Sequence, residues 1–312
     1  MRIWRENVPV VAGGPARPLA GKPAHGPVSE AVAGRPAALL RPLIARYSGY
    51  RQAGVGPARH RGLPSPFLTL IFTIHEPLVV AAHPDPRQPG AEYLTLAGGL
   101  HTAPALITHD GWQSGIQVGL SPAGARAILG VPAGELASID VEGSDVCGAL
   151  ATEIHHRVRE AASWQDRFAV LDEVLSARLL AYRRAGRPDL SAETAFAWGR
   201  IVTTGGRISV AALAEETGWS GRHLRSVFAG EIGLTPKAAA RVVRFDRARR
   251  LLQRRAAAGP RLDLAGLAAD CGFYDQAHLD SEFRALAGCP PTAWLAQEFR
   301  NLQAEAAESE PG

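Results

Sequence analysis

The sequence predicts an α+β chain in two parts: a β-rich N-terminal domain that also carries helices, then an all-α C-terminal domain with two helix-turn-helix units joined by a long helix. Three observations carry this expectation. In the last third of the chain, His223, Leu224, Phe228, Gly233 and Pro236 recur with identical spacing as His278, Leu279, Phe283, Gly288 and Pro291, and a repeat this detailed marks one supersecondary unit used twice. The run FLTLIFTI, from Phe67 to Ile74, has the β-branched and aromatic composition of a buried strand. From Ser121 onward the apolar pattern becomes helical.

In chain order, residues 1–36 are rich in glycine, proline and alanine, show no helical or strand period, and read as a disordered extension. The N-terminal domain is expected over 37–187, opening near Leu39 with the briefly amphipathic LLRPLIARYSGYR. Besides Phe67 to Ile74, strands are expected over Leu78 to Ala82, Glu92 to Ala97, Ala103 to Thr108 and Ile116 to Leu120. Ser121 is placed to cap a helix with Pro122 at its first position. Longer amphipathic helices are expected over Ser144 to Ala161 and Trp164 to Arg184, and RAGRPDLS, Arg184 to Ser191, reads as the linker. The second domain is expected over 188–302, with 303–312 as a flexible tail.

Each helix-turn-helix copy has a local physical logic. Ser209 and Asp263 are suited to cap a short helix that must stop at Gly218 and Gly272 in a left-handed turn. Ser220 and Asp275 are suited to cap the next helix, whose Leu224 and Phe228 (Leu279 and Phe283) form an inward apolar stripe. The opposite face is then free, and in the first copy it carries Arg222, Arg225 and Ser226 at the spacing that lets side chains enter one groove together. Thr235 would cap the connecting helix, Pro236 would be its first residue, and the helix would run through Arg241, Phe245 and Leu251.

The runs GWSGRHLRSVFAGEIGLTPKAAARVVRFDRARRLL and LAADCGFYDQAHLDSEFRALAGCPPTAWL resemble the twin helix-turn-helix domain of the AraC/XylS transcription regulators, over roughly residues 191–300. The front half resembles the amino-terminal domains of a group of actinobacterial AraC-type regulators, through HRGLPSPFLTL, GGLHTAPALITHDGWQSGIQVGLSPAGARAILGVPAGEL and DRFAVLDEVL. The resemblance implies a front domain that binds an effector or mediates dimerisation and a back domain that binds DNA. Its implied DNA-binding residues are Ser220, Gly221, Arg222, Arg225, Ser226, Arg241 and Arg244 in the first half, and Asp275, Gln276, Ala277, His278, Asp280 and Ser281 in the second recognition helix.

Charge divides the C-terminal domain. From Ser220 to Arg261, 11 Lys and Arg residues stand against only Glu231 and Asp246, a phosphate-binding composition. From Leu262 onward Asp and Glu outnumber Arg284 and Arg300. The first unit is therefore expected to supply most of the affinity, with the second tuning register or reading through cytosine-directed and water-mediated contacts. The alternative is a co-regulator whose acidic second unit contacts RNA polymerase or another regulator.

The rest of the sequence sets bounds. The 312 residues are 46% apolar, with formal net charge +4 and mean hydropathy −0.04, a globular composition long enough for two cores. There is no spanning apolar stretch or signal-peptide run, so a cytoplasmic location is expected. Cys147, Cys271 and Cys289 are too few and too widely spaced for a disulfide framework or zinc cluster. The seven histidines of the expected N-terminal domain, 37–187, include no HxH or HExxH, and no nucleophile elbow or phosphate loop is present, so neither metal, cofactor nor catalysis is expected. His101, His109, Trp112 and Gln113 fall near strand ends, where polar and aromatic groups can converge on a small-molecule effector; the alternative is that Trp112 fills the core and the histidines cap loops. Double-stranded DNA is the expected partner, with an effector, RNA polymerase and a second copy of the chain as further candidates.

Overall fold

The computed structural model describes residues 27–259 and 262–297. The front domain contains two antiparallel sheets. The larger has the order β1-β2-β9-β4-β7-β10, from β1 (Val28–Gly34), β2 (Ile44–Ala53), β4 (Leu68–Thr73), β7 (Thr95–Gly98), β9 (Gln113–Leu120) and β10 (Asp140–Glu142). The smaller has the order β3-β8-β5-β6, from β3 (Ala58–Gly62), β5 (Leu78–Ala82), β6 (Ala91–Tyr93) and β8 (Ala105–His109). The sheets face each other, with Ile71, Leu96, Leu78, Val80, Tyr93, Ala105 and Ile107 forming an apolar cluster between them.

The outer face of the larger sheet is covered by α1 (Pro122–Gly124), which runs into a π turn at Ala125–Leu129, and by α2 (Gly143–Cys147), α3 (Ala149–Glu160) and α4 (Trp164–Arg184). Ser121 caps α1 by accepting the Gly124 N–H at 3.2 Å. Ser163 and Asp166 form a capping box at the start of α4, which satisfies two otherwise unpaired backbone donors. Two glycines let α4 approach the sheet: a Cβ on Gly34 would stand 2.7 Å from the Phe168 ring, and one on Gly49 2.6 Å from Trp164. The Phe168 ring stacks on Tyr47 and Trp164 at centroid distances of 5.8 and 6.3 Å, and Asp172 accepts from the Tyr47 hydroxyl at 2.9 Å and from the Ala37 N–H at 2.8 Å.

Three expectations are corrected. Part of the segment expected to be disordered is β1, which pairs with β2 from Val28 to Gly34. Its small residues hide an edge-strand pattern that only the partner strand and the rings of α4 make favourable. Residues 1–26 and 298–312, including the expected tail, lie outside the described residues. The expected helix over Ser144 to Ala161 is two helices, broken at Gly148, whose φ of 57° is left-handed. The strand expected over Glu92 to Ala97 is β6 and β7, parted at the exposed Leu94, whereas α4 has the bounds that periodicity gives.

The C-terminal domain comprises α5 (Ala192–Thr203), α6 (Val210–Thr217), α7 (Gly221–Ile232), the 23-residue α8 (Pro236–Ala258), α9 (Leu264–Cys271) and α10 (Gln276–Ala287), and residues 291–297 are again helical. Each cap named from the sequence is formed: Ser209, Ser220, Thr235, Asp263 and Asp275 accept from Ala212, His223, Ala238, Gly266 and His278 N–H groups at 2.7–3.3 Å. Gly218 and Gly272 end α6 and α9 at φ 69° and 79°, where a Cβ would be strained. Leu213, Leu224 and Phe228 in one unit, and Leu267, Leu279 and Phe283 in the other, are fully buried, with Phe245 of α8 packed edge-on against Phe283 at 4.9 Å.

The two domains meet along a close seam. The turn Ala133–Leu136 lies against the C-terminal end of α7. Glu231 of α7 receives hydrogen bonds from the Ser191 hydroxyl at 2.7 Å and the Ser191 N–H at 3.3 Å, and an ion pair from Arg126 of the front domain at 3.3 Å. On the other side, the Arg61 side chain of β3 donates to Gln297.

Candidate nucleic-acid interface and ligand cavity

The equivalent helices α7 and α10 present their N-terminal turns to solvent. On α7, Ser220, Gly221, Arg222, Arg225 and Ser226 are all exposed, opposite the buried Leu224 and Phe228. Among the described residues neither guanidinium has a partner, and both lie on a solvated face, the arrangement that serves phosphate and base edges. On α10, Asp275, Gln276, Ala277 and Ser281 are exposed, while His278 and Asp280 are half-buried.

The two repeated histidines do the same thing. His223 packs edge-on against Trp219 at 4.7 Å and 80°, and His278 against Phe273 at 5.4 Å and 88°. His278 Nδ1 also accepts the Tyr274 N–H at 3.3 Å. They brace the turns that precede α7 and α10.

Two arginines expected at the DNA face, Arg241 and Arg244, have partners inside the domain. Arg241 is paired with Glu282 of α10 at 2.9 Å. Arg244 donates to the Gly206 carbonyl at 2.8 Å and lies over the Phe273 ring at 5.6 Å, and burial lowers its pKa. The reason is that α8 is surrounded by α5, α7, α9 and α10, so arginines at helical spacing on it reach neighbouring helices before solvent. Asp280 is likewise turned inward, with Oδ1 buried and without a hydrogen-bond partner. The sequence reading passed over Arg284, which is exposed on α10. Its three-residue spacing from Ser281 was the signal that could have found it.

A cavity of about 680 Å³ lies between the two sheets and extends to the C-terminal domain, where Arg249 of α8 and Trp294 join its lining. Of the four residues expected at an effector pocket, His101, His109 and Gln113 line it and Trp112 does not. His109 accepts the Gly111 N–H through Nδ1 at 3.1 Å, and Gln113 donates to Gln52 at 2.6 Å. Burial lowers the pKa of His101 and His109, and that of His60, 6.2 Å from His109, falls to about 4 through burial first and His109 second. The histidines are therefore neutral at pH 7. Burial also raises the pKa of the Tyr50 hydroxyl, which leaves it a neutral donor.

Sequence reasoning missed His60, Tyr50, Arg46, Gln117 and Asp140, all in the lining. Strand alternation along β2 and β9 would have put Arg46 and Tyr50, and Gln113 and Gln117, on one face, had β2 been recognised as a strand. Among the described residues no three His, Cys, Asp or Glu side chains are grouped to hold a metal ion, and no helix is long and apolar enough to cross a membrane.

Comparison with known proteins bears on both halves. Residues 213–297 match the family model described as a helix-turn-helix domain, and residues 34–142 match a domain of unknown function, DUF6597. Comparison with curated proteins finds no match. Among solved structures the chain is similar to ToxT from Vibrio cholerae: one form at 1.65 Å is 10% identical, with TM-score 0.46, covering 88% of this chain and 99% of that one. An apo variant of ToxT has TM-score 0.48 at 10% identity, covering 81% and 97%, and ToxT with a bound unsaturated fatty acid has TM-score 0.45 at 8% identity, covering 89% and 98%. Similarities at that level bear no weight on ligand or activity. The repeated, cap-for-cap helix-turn-helix units lie across the region that the helix-turn-helix family model matches.

Proposed function

We propose that this protein is a sequence-specific transcription regulator that inserts α7 and α10 into successive major-groove segments on one face of DNA, under the control of a small molecule held in the front domain. The observation that carries the reading is the pair of recognition helices with identical capping and identical buried stripes, each leaving its N-terminal turn exposed. Units of this kind read half-sites about one helical turn, ~34 Å, apart.

The inward placement of Glu282 and Asp280 favours DNA over the co-regulator reading. Glu282 is neutralised by Arg241, and Asp280 is half-buried. The acidity of the second half seen in sequence is thus weaker at the surface of α10, where Gln276, Ser281 and Arg284 stand exposed. Arg222 and Arg225 supply affinity at the first site, and Gln276 reads at the second.

The test is genome-wide capture of DNA fragments by the full-length protein, followed by affinity measurements over a salt series. A motif with two half-sites about 10 base pairs apart and a steep salt slope supports the reading. Capture without any enriched motif, with or without metabolite extract, sinks it.

A further inference from the structure

The cavity floor has a charge order that follows from strand register. Arg46 of β2 is paired with Gly119 of β9, Gly119 with Thr69 of β4, Thr69 with Gly98 of β7, and Gly98 with Asp140 of β10. These five residues form one row across the larger sheet, with a cation at one end, a carboxylate at the other and glycines beside each. Both charged side chains lean inward over those glycines: Arg46 carbons and Nη1 lie 3.6–3.8 Å from where a Gly119 Cβ would be, and Asp140 Oδ1 2.5 Å from where a Gly98 Cβ would be. The charged groups thus stand over strands two spacings apart, about 10 Å, with Thr69 between them.

Neither end is fully satisfied from within the protein. Arg46 has no hydrogen bond or ion pair among the described residues and lies over the Phe67 ring at 5.6 Å. Its charged neighbours are Arg250, Arg249 and Asp246 of α8, and Asp246 is already paired with both Arg249 and Arg250 at 2.8 Å. Three guanidinium groups therefore share one carboxylate, and the Nε of Arg249 is buried without a partner. Clustered, partly desolvated cations of this kind are stabilised by an added anion. At the far end Asp140 Oδ2 is held by His83 Nδ1 at 2.7 Å, both side chains being nearly buried, which leaves Oδ1 facing the cavity.

We infer that the cavity takes a zwitterion: a small molecule whose anionic group lies between Arg46 and Arg249 and whose ammonium group reaches Asp140 across Thr69. Its polar ends stand about 4 to 10 Å apart, according to whether it lies between or above the two protein groups. The inference rests on the effector reading and names the ligand class for the same cavity. Because the anion is shared by β2 and α8, the ligand joins the sensing domain to the helix that connects the two DNA-reading units.

The probes are the ω-amino acids 4-aminobutanoate, 5-aminopentanoate and 6-aminohexanoate. Each is set against the carboxylic acid lacking the amine and the amine lacking the carboxylate, with binding to the full-length protein measured by calorimetry and thermal shift. The expected result is that at least one amino acid binds tenfold or more tightly than both counterparts, that Arg46→Gln abolishes its binding, and that Asp140→Asn removes the advantage over the plain acid. The wild-type selectivity stands as a test even where Asp140→Asn fails to fold. Equal binding of the amino acid and the plain acid overturns the inference, as does no binding by any probe at about 10 mM. These titrations contain no DNA, so their failure is separate from failure of the operator capture.

Discussion

Replacing Gly134 by alanine tests whether the front domain truly grips α7. A Cβ at this position would stand 2.0 Å from the Gly230 carbonyl oxygen and 3.0 Å from that of Ala229, both in α7. Ordinary contact needs roughly 3.4 Å, so the seam must open by about 1.4 Å, and because the obstructing atoms are backbone no side chain can swing aside. Overpacking of this kind costs about 1–3 kcal/mol. For a chain of this size that lowers Tm by about 3–10 °C. Opening also stretches the ion pair from Arg126 of the front domain to Glu231. The control is across the seam: a Cβ on Gly230 meets nothing within 4 Å, so Gly230→Ala gains helix propensity and stabilises by about 0.5–1 kcal/mol. Thermal unfolding followed by circular dichroism reads both. If Gly134→Ala melts with or above the wild type while Gly230→Ala behaves as stated, the close seam is absent in solution and the packing argument fails.

Other outcomes follow from the same geometry. Arg225→Ala should weaken operator binding about tenfold and reduce the log–log salt slope by about one, whereas Gln276→Ala should weaken it less and leave the slope alone; a larger loss from Gln276→Ala would reverse the assignment of affinity to the first unit. Glu282→Ala should destabilise by about 1–3 kcal/mol, because it leaves the Arg241 guanidinium half-buried without its partner, and chemical denaturation would show this. His60 is held neutral by burial with its pKa lowered to about 4. Its contribution is therefore complete above the unfolded value near 6.5 and is lost as pH falls from there toward 4, by about 2–3 kcal/mol after allowance for solvent in the cavity. His60→Gln should flatten that part of the stability–pH curve, and an unchanged acid limb would show that the ring is solvated.

The helix-turn-helix domain was legible because its signals are local. Ser220 and Asp275 cap helices three residues before the N–H groups they bind, and Gly218 and Gly272 mark stops that only a left-handed residue makes easily. None of this depends on distant parts of the chain. The cavity was less legible because it depends on register. Arg46 and Asp140 are 94 positions apart, and only the pairing of five strands sets them in one row. Arg241 and Arg244 show the converse difficulty: helical spacing says which residues share a face but not what covers it, and α8 packs against α5, α7, α9 and α10. β1 was hidden for a third reason, since VSEAVAG has little strand character of its own and is stabilised by pairing and by the aromatic rings of α4.

Seam and cavity together give effector control a physical route. The front domain holds α7 at its C-terminal end through the turn Ala133–Leu136 and Glu231, while the cavity reaches α8 through Arg249. Since α8 joins the two units, a ligand that changes how Arg249 sits relative to Arg46 changes the relation of α10 to an α7 already fixed by the seam. A tenfold change in DNA affinity requires only about 1.4 kcal/mol of differential interaction, within the range of one charge-assisted hydrogen bond made in one state and lost in the other. The coupling must be reciprocal, so operator DNA should alter affinity for the ligand by the same factor. A ligand that met only the front domain would have no such lever on α8, which makes Arg249→Gln the decisive variant. It should leave binding to operator DNA near the wild-type value without ligand, and should shrink the ligand's effect on that binding more than Arg254→Gln, an exposed change on the same helix.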